Sequence, residues 1–137
     1  MKKTIALPNA GGGTVYSAGV ELGVLTARGA SETASEFVVT APALTVVMLP
    51  DGETCKYSIQ RATDAAFSSP EMFAADVLVQ TGAGAAGAAA ASARIGVPTN
   101  HLAFYRLRIV LSPGAANSSA VTGKLETDVR TSRGSIA

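Results

Sequence analysis

Tryptophan is absent from this 137-residue chain, cysteine and histidine occur once each, and aromatic residues make up only 5%. Each shortage closes off a class of function. One cysteine, Cys55, builds no disulfide framework or thiolate cluster within a single chain. One cysteine and one histidine do not make an ordinary structural zinc site. A Ser-His-Asp triad would have to use His101, which follows Pro98-Thr99-Asn100 and reads as an exposed turn. No serine stands in a Gly-x-Ser-x-Gly elbow to meet it. The lack of tryptophan also argues against a lectin, because sugars usually stack on exposed rings.

Charge is scarce too. Charged residues reach 15%, against about a quarter in ordinary globular proteins. So few charges fit either a surface covered by neighbours in an assembly or a small, mildly sticky monomer. The formal net charge of +1 provides no field to draw in nucleic acid or anionic lipid. No apolar stretch approaches the ~20 residues of a membrane span. The start Met1-Lys2-Lys3 imitates a secretory signal, but the run Ile5 to Leu7 is far short of a signal core of about 7–15 residues, and Pro8 cuts it off. Synthesis in the cytoplasm as a soluble protein is the expectation.

The carboxylates carry no evident chemistry. Asp51 and Glu53 flank the glycine of a turn, and Glu126 and Asp128 share one row of a strand. Neither pair sits in a sugar cleft or a calcium loop. Gly11-Gly12-Gly13 and Gly82-x-Gly84 lack the following Lys-Ser/Thr of a phosphate cradle. No cofactor or metal is expected.

What the chain does have is alternation. Thr54 to Arg61, Tyr105 to Leu111 and Val121 to Val129 switch between apolar and polar residue by residue, the signature of a half-buried strand. Cys55, Tyr57 and Ile59 fall on an inward row, so Cys55 reads as a buried small hydrophobe. Tyr105, Leu107, Ile109 and Leu111 form another inward row, with Phe104, Arg106, Arg108 and Val110 opposite. Glu36 to Thr40 is a β-branched strand. Glu71 to Gln80 resumes a strand with Phe73, Ala75, Val77 and Val79 on one row, and Ala91 to Val97 sets Ala93, Ile95 and Val97 inward with Arg94 outward. In the last strand Val121, Leu125 and Val129 face inward, with Lys124, Glu126 and Asp128 outward.

Leu44 to Leu49 is apolar but for Thr45, and reads as a central strand covered on both faces. With the Pro50-Asp51-Gly52 turn it predicts a hairpin from Leu44 to Arg61. Asp64, Ser68 and Ser69 mark a polar connection capable of local hydrogen bonds. Thr81 to Ala89, all small residues, reads as a flexible loop. These elements predict an all-β, antiparallel β-sandwich of jelly-roll type, with an immunoglobulin-like sandwich as the alternative. The expected organisation is an extended N-terminal arm over residues 1–30, the sandwich over 31–130 and a C-terminal tail over 131–137. The alternative for the arm is a packed edge strand. Aliphatic filling suits a thin sandwich better than a deep cleft.

Gln60-Arg61-Ala62-Thr63-Asp64-Ala65-Ala66-Phe67-Ser68-Ser69-Pro70, directly after an alternating strand, resembles a strand and loop in the jelly-roll cement proteins of tailed-phage capsids. Phe104 to Val110 looks like that family's penultimate long strand, and Val121-Thr122-Gly123-Lys124-Leu125 resembles its final strand. The similarity runs from about Glu36 to Val129. It implies a structural virion protein on the capsid exterior, free of catalysis, that bridges major capsid protein subunits as a homodimer or homotrimer. Neither nucleic acid nor membrane is an expected partner. Lys2, Lys3, Ile5, Leu7, Tyr16, Arg94, Arg106, Arg108, Arg130 and Arg133 are the residues expected to contact the capsid or sister subunits. A carbohydrate- or receptor-binding module of a tail or fibre is the alternative, and a hydrolase using His101 a distant third.

Overall fold

The structure, a computed structural model of the chain, describes residues 2–21, 34–97 and 104–129. Met1, residues 22–33 and 98–103, and the C-terminal segment with Arg130 and Arg133 lie outside the described residues, as does His101. Among the described residues there is no helix, and nine strands form two antiparallel sheets. They are β1 (Lys2–Ala6), β2 (Thr14–Tyr16), β3 (Val20–Glu21), β4 (Ala34–Ala41), β5 (Thr54–Ala62), β6 (Glu71–Thr81), β7 (Ala91–Gly96), β8 (Phe104–Leu111) and β9 (Thr122–Val129). One sheet runs β1-β9-β4-β7. The other runs β2-β8-β5-β6, with β3 also pairing β8. The all-β sandwich expected from the alternation is the fold observed.

β8 shows why. It lies between β2/β3 and β5 in its sheet, and every second residue, Tyr105, Leu107, Ile109 and Leu111, is buried. Facing the same interior are Cys55, Tyr57 and Ile59 of β5 and, from the other sheet, Phe37, Val39 and Leu125. Period-two burial is a direct consequence of the pleat. The sheets approach closely where β9 crosses this core. A Cβ added at Gly123 would meet Ile109 Cδ1 at 2.9 Å and Tyr57 Cε2 at 3.3 Å.

The N-terminal arm is corrected. Lys2 to Ala6 pairs residue by residue with β9, from Lys2 opposite Glu126 to Ala6 opposite Thr122. Leu7 is buried, and its N–H donates to Val121 O at 3.1 Å. Thr14 to Tyr16 crosses to the other sheet and pairs with β8. The backbone here completes both ladders, so residues 2–21 belong to the sandwich. The row Lys3, Ile5, Leu7 was too short to advertise this by periodicity.

The predicted Leu44–Arg61 hairpin is also corrected. Leu44 makes a single isolated bridge to Ala88, and the chain turns at once, with Leu49 N–H donating to Thr45 O at 2.9 Å and Met48 N–H to Thr45 Oγ1 at 3.3 Å. Leu44 and Leu49 are buried while Val47 is 73% exposed. A run that is apolar but for Thr45 names no face, and the turn chooses two residues for the core. β5 pairs instead with β6 and β8.

β6 departs from simple alternation. Asp76 has φ +49°, and the pairing with β5 shifts register on either side of Ile59. This is a bulge on an edge strand. The Asp76 N–H donates to Ser58 Oγ at 2.9 Å, so a serine on the outer row of β5 is buried. Past the bulge the inward residues are Leu78 and Gln80, opposite Tyr57 and Cys55. Of the predicted row of Phe73, Ala75, Val77 and Val79, Phe73 packs on Phe37 and Tyr105 and Val77 is half-buried against the core, whereas Ala75 and Val79 are exposed.

The small-residue segment after β6 is a tied turn. Ala83 N–H donates to Gly87 O at 3.0 Å, Gly84 N–H to Asp51 Oδ1 at 2.8 Å, and Leu44 and Ala88 exchange two bonds. Gly87 has φ +68°, and a Cβ there would collide with the Leu44 carbonyl, so glycine is required at that position.

Cys55 is fully buried, as its row implied. Burial pushes its thiol up to about 11 from an ordinary 9, with the Tyr57 hydroxyl pulling slightly the other way. Burial also pushes the Tyr57 hydroxyl up, reinforced by the neighbouring thiol. A group whose folded pKa is raised stabilises the fold below its unfolded pKa and loses that contribution as pH rises toward the folded value. The Cys55 contribution is therefore expected to fall by on the order of 2–3 kcal/mol between pH 9 and 11, with Tyr57 adding to the loss above about pH 10. Urea unfolding across this range checks it. Cys55→Ala should delay the alkaline decline to about pH 10, where unfolded tyrosine begins to ionise, and an unchanged profile would remove the thiol from the account.

Candidate functional site

Inward side chains build the core, so outward rows are where partners meet the molecule. Residues opposed across an antiparallel ladder share a face. On the outer face of the β2-β8-β5-β6 sheet, Tyr16 stands opposite Arg108, Val110 opposite Thr14 and Lys56, Arg106 opposite Gln60, Lys56 opposite Val79, and Gln60 opposite Met72. Three large apolar residues are notably exposed there: Tyr16 at 42%, Met72 at 41% and Val79 at 45%.

Arg106 is the centre of this face. Its guanidinium carbon lies 4.0 Å from the Tyr16 ring centroid and 4.3 Å from that of Phe67, and its Nε–H donates to Gln60 Oε1 at 2.9 Å. Burial lowers its pKa from the ordinary arginine value, partly offset by Tyr16, and the guanidinium remains charged at neutral pH. Cation–π contacts of this kind contribute about 0.5–2 kcal/mol each.

Phe67 reaches Arg106 because of the connection between β5 and β6. Asp64 O accepts from Phe67 N–H at 3.1 Å, and the Asp64 carboxylate accepts from Ser68 Oγ at 2.8 Å. The closed turn holds Phe67 at φ +53°, an unusual conformation for a large side chain. Its ring lies over Gly19, where a Cβ would come within 2.9 Å of Phe67 Cε1. Tyr16, Gln60, Phe67 and Arg106, drawn from three distant segments of the chain, thus form one interlocked unit.

Of the predicted contact residues, Tyr16, Arg106 and Arg108 come together. Lys2 and Lys3 lie on edge strand β1 of the other sheet, and Arg94 lies on its opposite edge, β7, 3.5 Å from Glu36. Leu7 is in the core and closed to a partner, and the half-buried Ile5 packs against that core. Lys56, Gln60, Phe67, Met72 and Val79 were missed. Lys56 and Gln60 were readable as the row opposite Cys55, Tyr57 and Ile59. Met72 and Val79 depend on the bulge, which the sequence does not announce.

The remaining candidates are structural. Glu53 Oε1 accepts from Ser112 Oγ at 2.7 Å and Gly114 N–H at 3.0 Å, tying two turns together. Among the described residues no group of three His, Cys, Asp or Glu is placed to hold a metal. An open groove of about 520 Å³ beside Leu44, Ala83, Ala86 and Ala88 has no titratable side chain in its lining. No family model matches this chain, and neither does any curated protein or solved structure.

Proposed function

We propose that this chain is a structural virion protein that binds the outer surface of a phage capsid and stabilises the shell by bridging major capsid protein subunits, as a homodimer or homotrimer. One observation carries this reading. Two of the segments that resemble jelly-roll cement proteins, Gln60 to Pro70 and Phe104 to Val110, meet at a single surface through the Gln60–Arg106 hydrogen bond and the Phe67–Arg106 stack. A shared recognition surface is what such a resemblance would preserve. Strand order adds support. With β2 and β3 taken as one interrupted strand, the order β1-β9-β4-β7 against β2-β8-β5-β6 supports the eight-stranded jelly-roll reading. The chain passes between sheets at every other connection except the β5–β6 hairpin.

Co-sedimentation with capsids of the phage whose genome carries the chain tests the proposal. Saturable binding at a fixed ratio to the major capsid protein is expected, together with a higher shell-disruption temperature. Reproducible binding to a glycan array without shell binding would replace this reading with a receptor-binding one.

A further inference from the structure

We infer that the outer face of the β2-β8-β5-β6 sheet is the docking surface, and that its partner is a carboxylate-bearing protein surface with apolar ground between the acids; this rests on the shell-binding reading above. Lys56, Arg106 and Arg108 all project from this face, and among the described residues none of them is within 4 Å of a carboxylate. The acids nearby are engaged or lie on the outer strands: Asp64 is folded back on Ser68, Glu71 pairs with Arg61, Asp76 sits in the bulge of edge strand β6, and Glu21 ends β3. Arg106 is already oriented by Gln60 and two rings, so little side-chain entropy remains to be lost when a carboxylate approaches.

The composition selects the class of partner. Arginine, tyrosine and methionine around a partly desolvated centre are typical of protein interfaces. Three cations interleaved with Tyr16, Met72, Val79 and Val110 are too few and too apolar in setting for a phosphate backbone, which is met by dense basic stripes. A second copy fits poorly. This face against itself would oppose like charges. The outer face of the other sheet interleaves Glu36 with Arg94 and Glu126 with Lys2, giving no acidic complement.

Charge reversal on the full-length protein tests this inference in the same sedimentation assay. Arg108→Glu and Lys56→Glu, each verified as folded by its urea midpoint, are expected to weaken shell binding at least tenfold and to flatten its dependence on salt between about 50 and 300 mM. Lys124→Glu and Ser92→Glu on the other sheet are expected to bind as the parent does. If the parent binds shells and all four variants bind equally, or the second pair loses more, the docking face is wrong while the shell-binding function stands. If the parent binds no shell, both fall. Arg108-dependent binding to free duplex DNA, or an Arg108-dependent change in oligomeric state, would also overturn the assignment of partner.

Discussion

Gln80→Leu is expected to cost the fold about 3 kcal/mol, although it replaces a polar side chain in the interior by an apolar one of similar size. Gln80 is buried near the end of β6. Its Oε1 accepts from the Tyr57 hydroxyl at 2.7 Å, and its Nε2 donates to Pro42 O at 2.7 Å and Ala89 O at 3.0 Å. Pro42 follows β4 and Ala89 precedes β7, so one amide of one sheet holds the chain ends of the other. Leucine would leave a hydroxyl and two carbonyls without those partners, each costing about 1–3 kcal/mol where water does not replace them. Tyr57→Phe should cost less, about 1–2 kcal/mol, because only the Gln80 oxygen loses its donor. The double variant should be less damaging than the sum by roughly 1 kcal/mol. Urea midpoints of the four proteins decide it. A Gln80→Leu midpoint matching the parent would show that the amide is dispensable.

Phe37→Ala should be at least as severe, at about 3–5 kcal/mol, a large part of the roughly 5–15 kcal/mol that holds a domain together. Phe37 is fully buried on β4. Its ring is 5.0 Å from Tyr105 on β8 and 6.1 Å from Phe73 on β6, and Phe73 meets Tyr105 edge-on at 5.4 Å. This trio is the aromatic contact between the two sheets in a chain with only seven aromatic residues, four Phe and three Tyr. Ala, Val and Leu cannot refill that volume without moving a strand. Phe37→Leu keeps most of the bulk and should cost about 1–2 kcal/mol. With no tryptophan in the chain, near-ultraviolet circular dichroism reports the tyrosines, so Phe37→Ala should lose that signal at lower urea than its parent. Coincident transitions for the alanine and parent proteins would contradict the role given to the trio.

The contrast between the well-read and misread segments follows from what a local pattern encodes. Tyr105 to Leu111 declares its faces because polar and apolar residues take turns, and β8 obeys that order throughout. Cys55 could be placed inward for the same reason. Leu44 to Leu49 has Thr45 as its one polar member and no alternation, so the sequence offers little to say which residues turn away, and a Thr45-centred turn exposes Val47. Thr14 to Tyr16 is too short to show a period, yet β8 pairs with it. Phe67 lies within the polar connection read after β5, but that its ring covers Arg106 and Gly19 depends on segments about forty to fifty residues to either side.

Side-chain alternation is a property of the extended backbone itself, so composition and period alone determined that this chain is all-β and which residues of β5, β7 and β8 face inward. Pairing partners are chosen by closure of two sheets over distant segments. Only the tertiary structure therefore decided that the N-terminus is an edge strand, that β6 is bulged, that Gln80 ties one sheet to the other, and that Tyr16 and a buried Phe67 clasp Arg106 on one outer face.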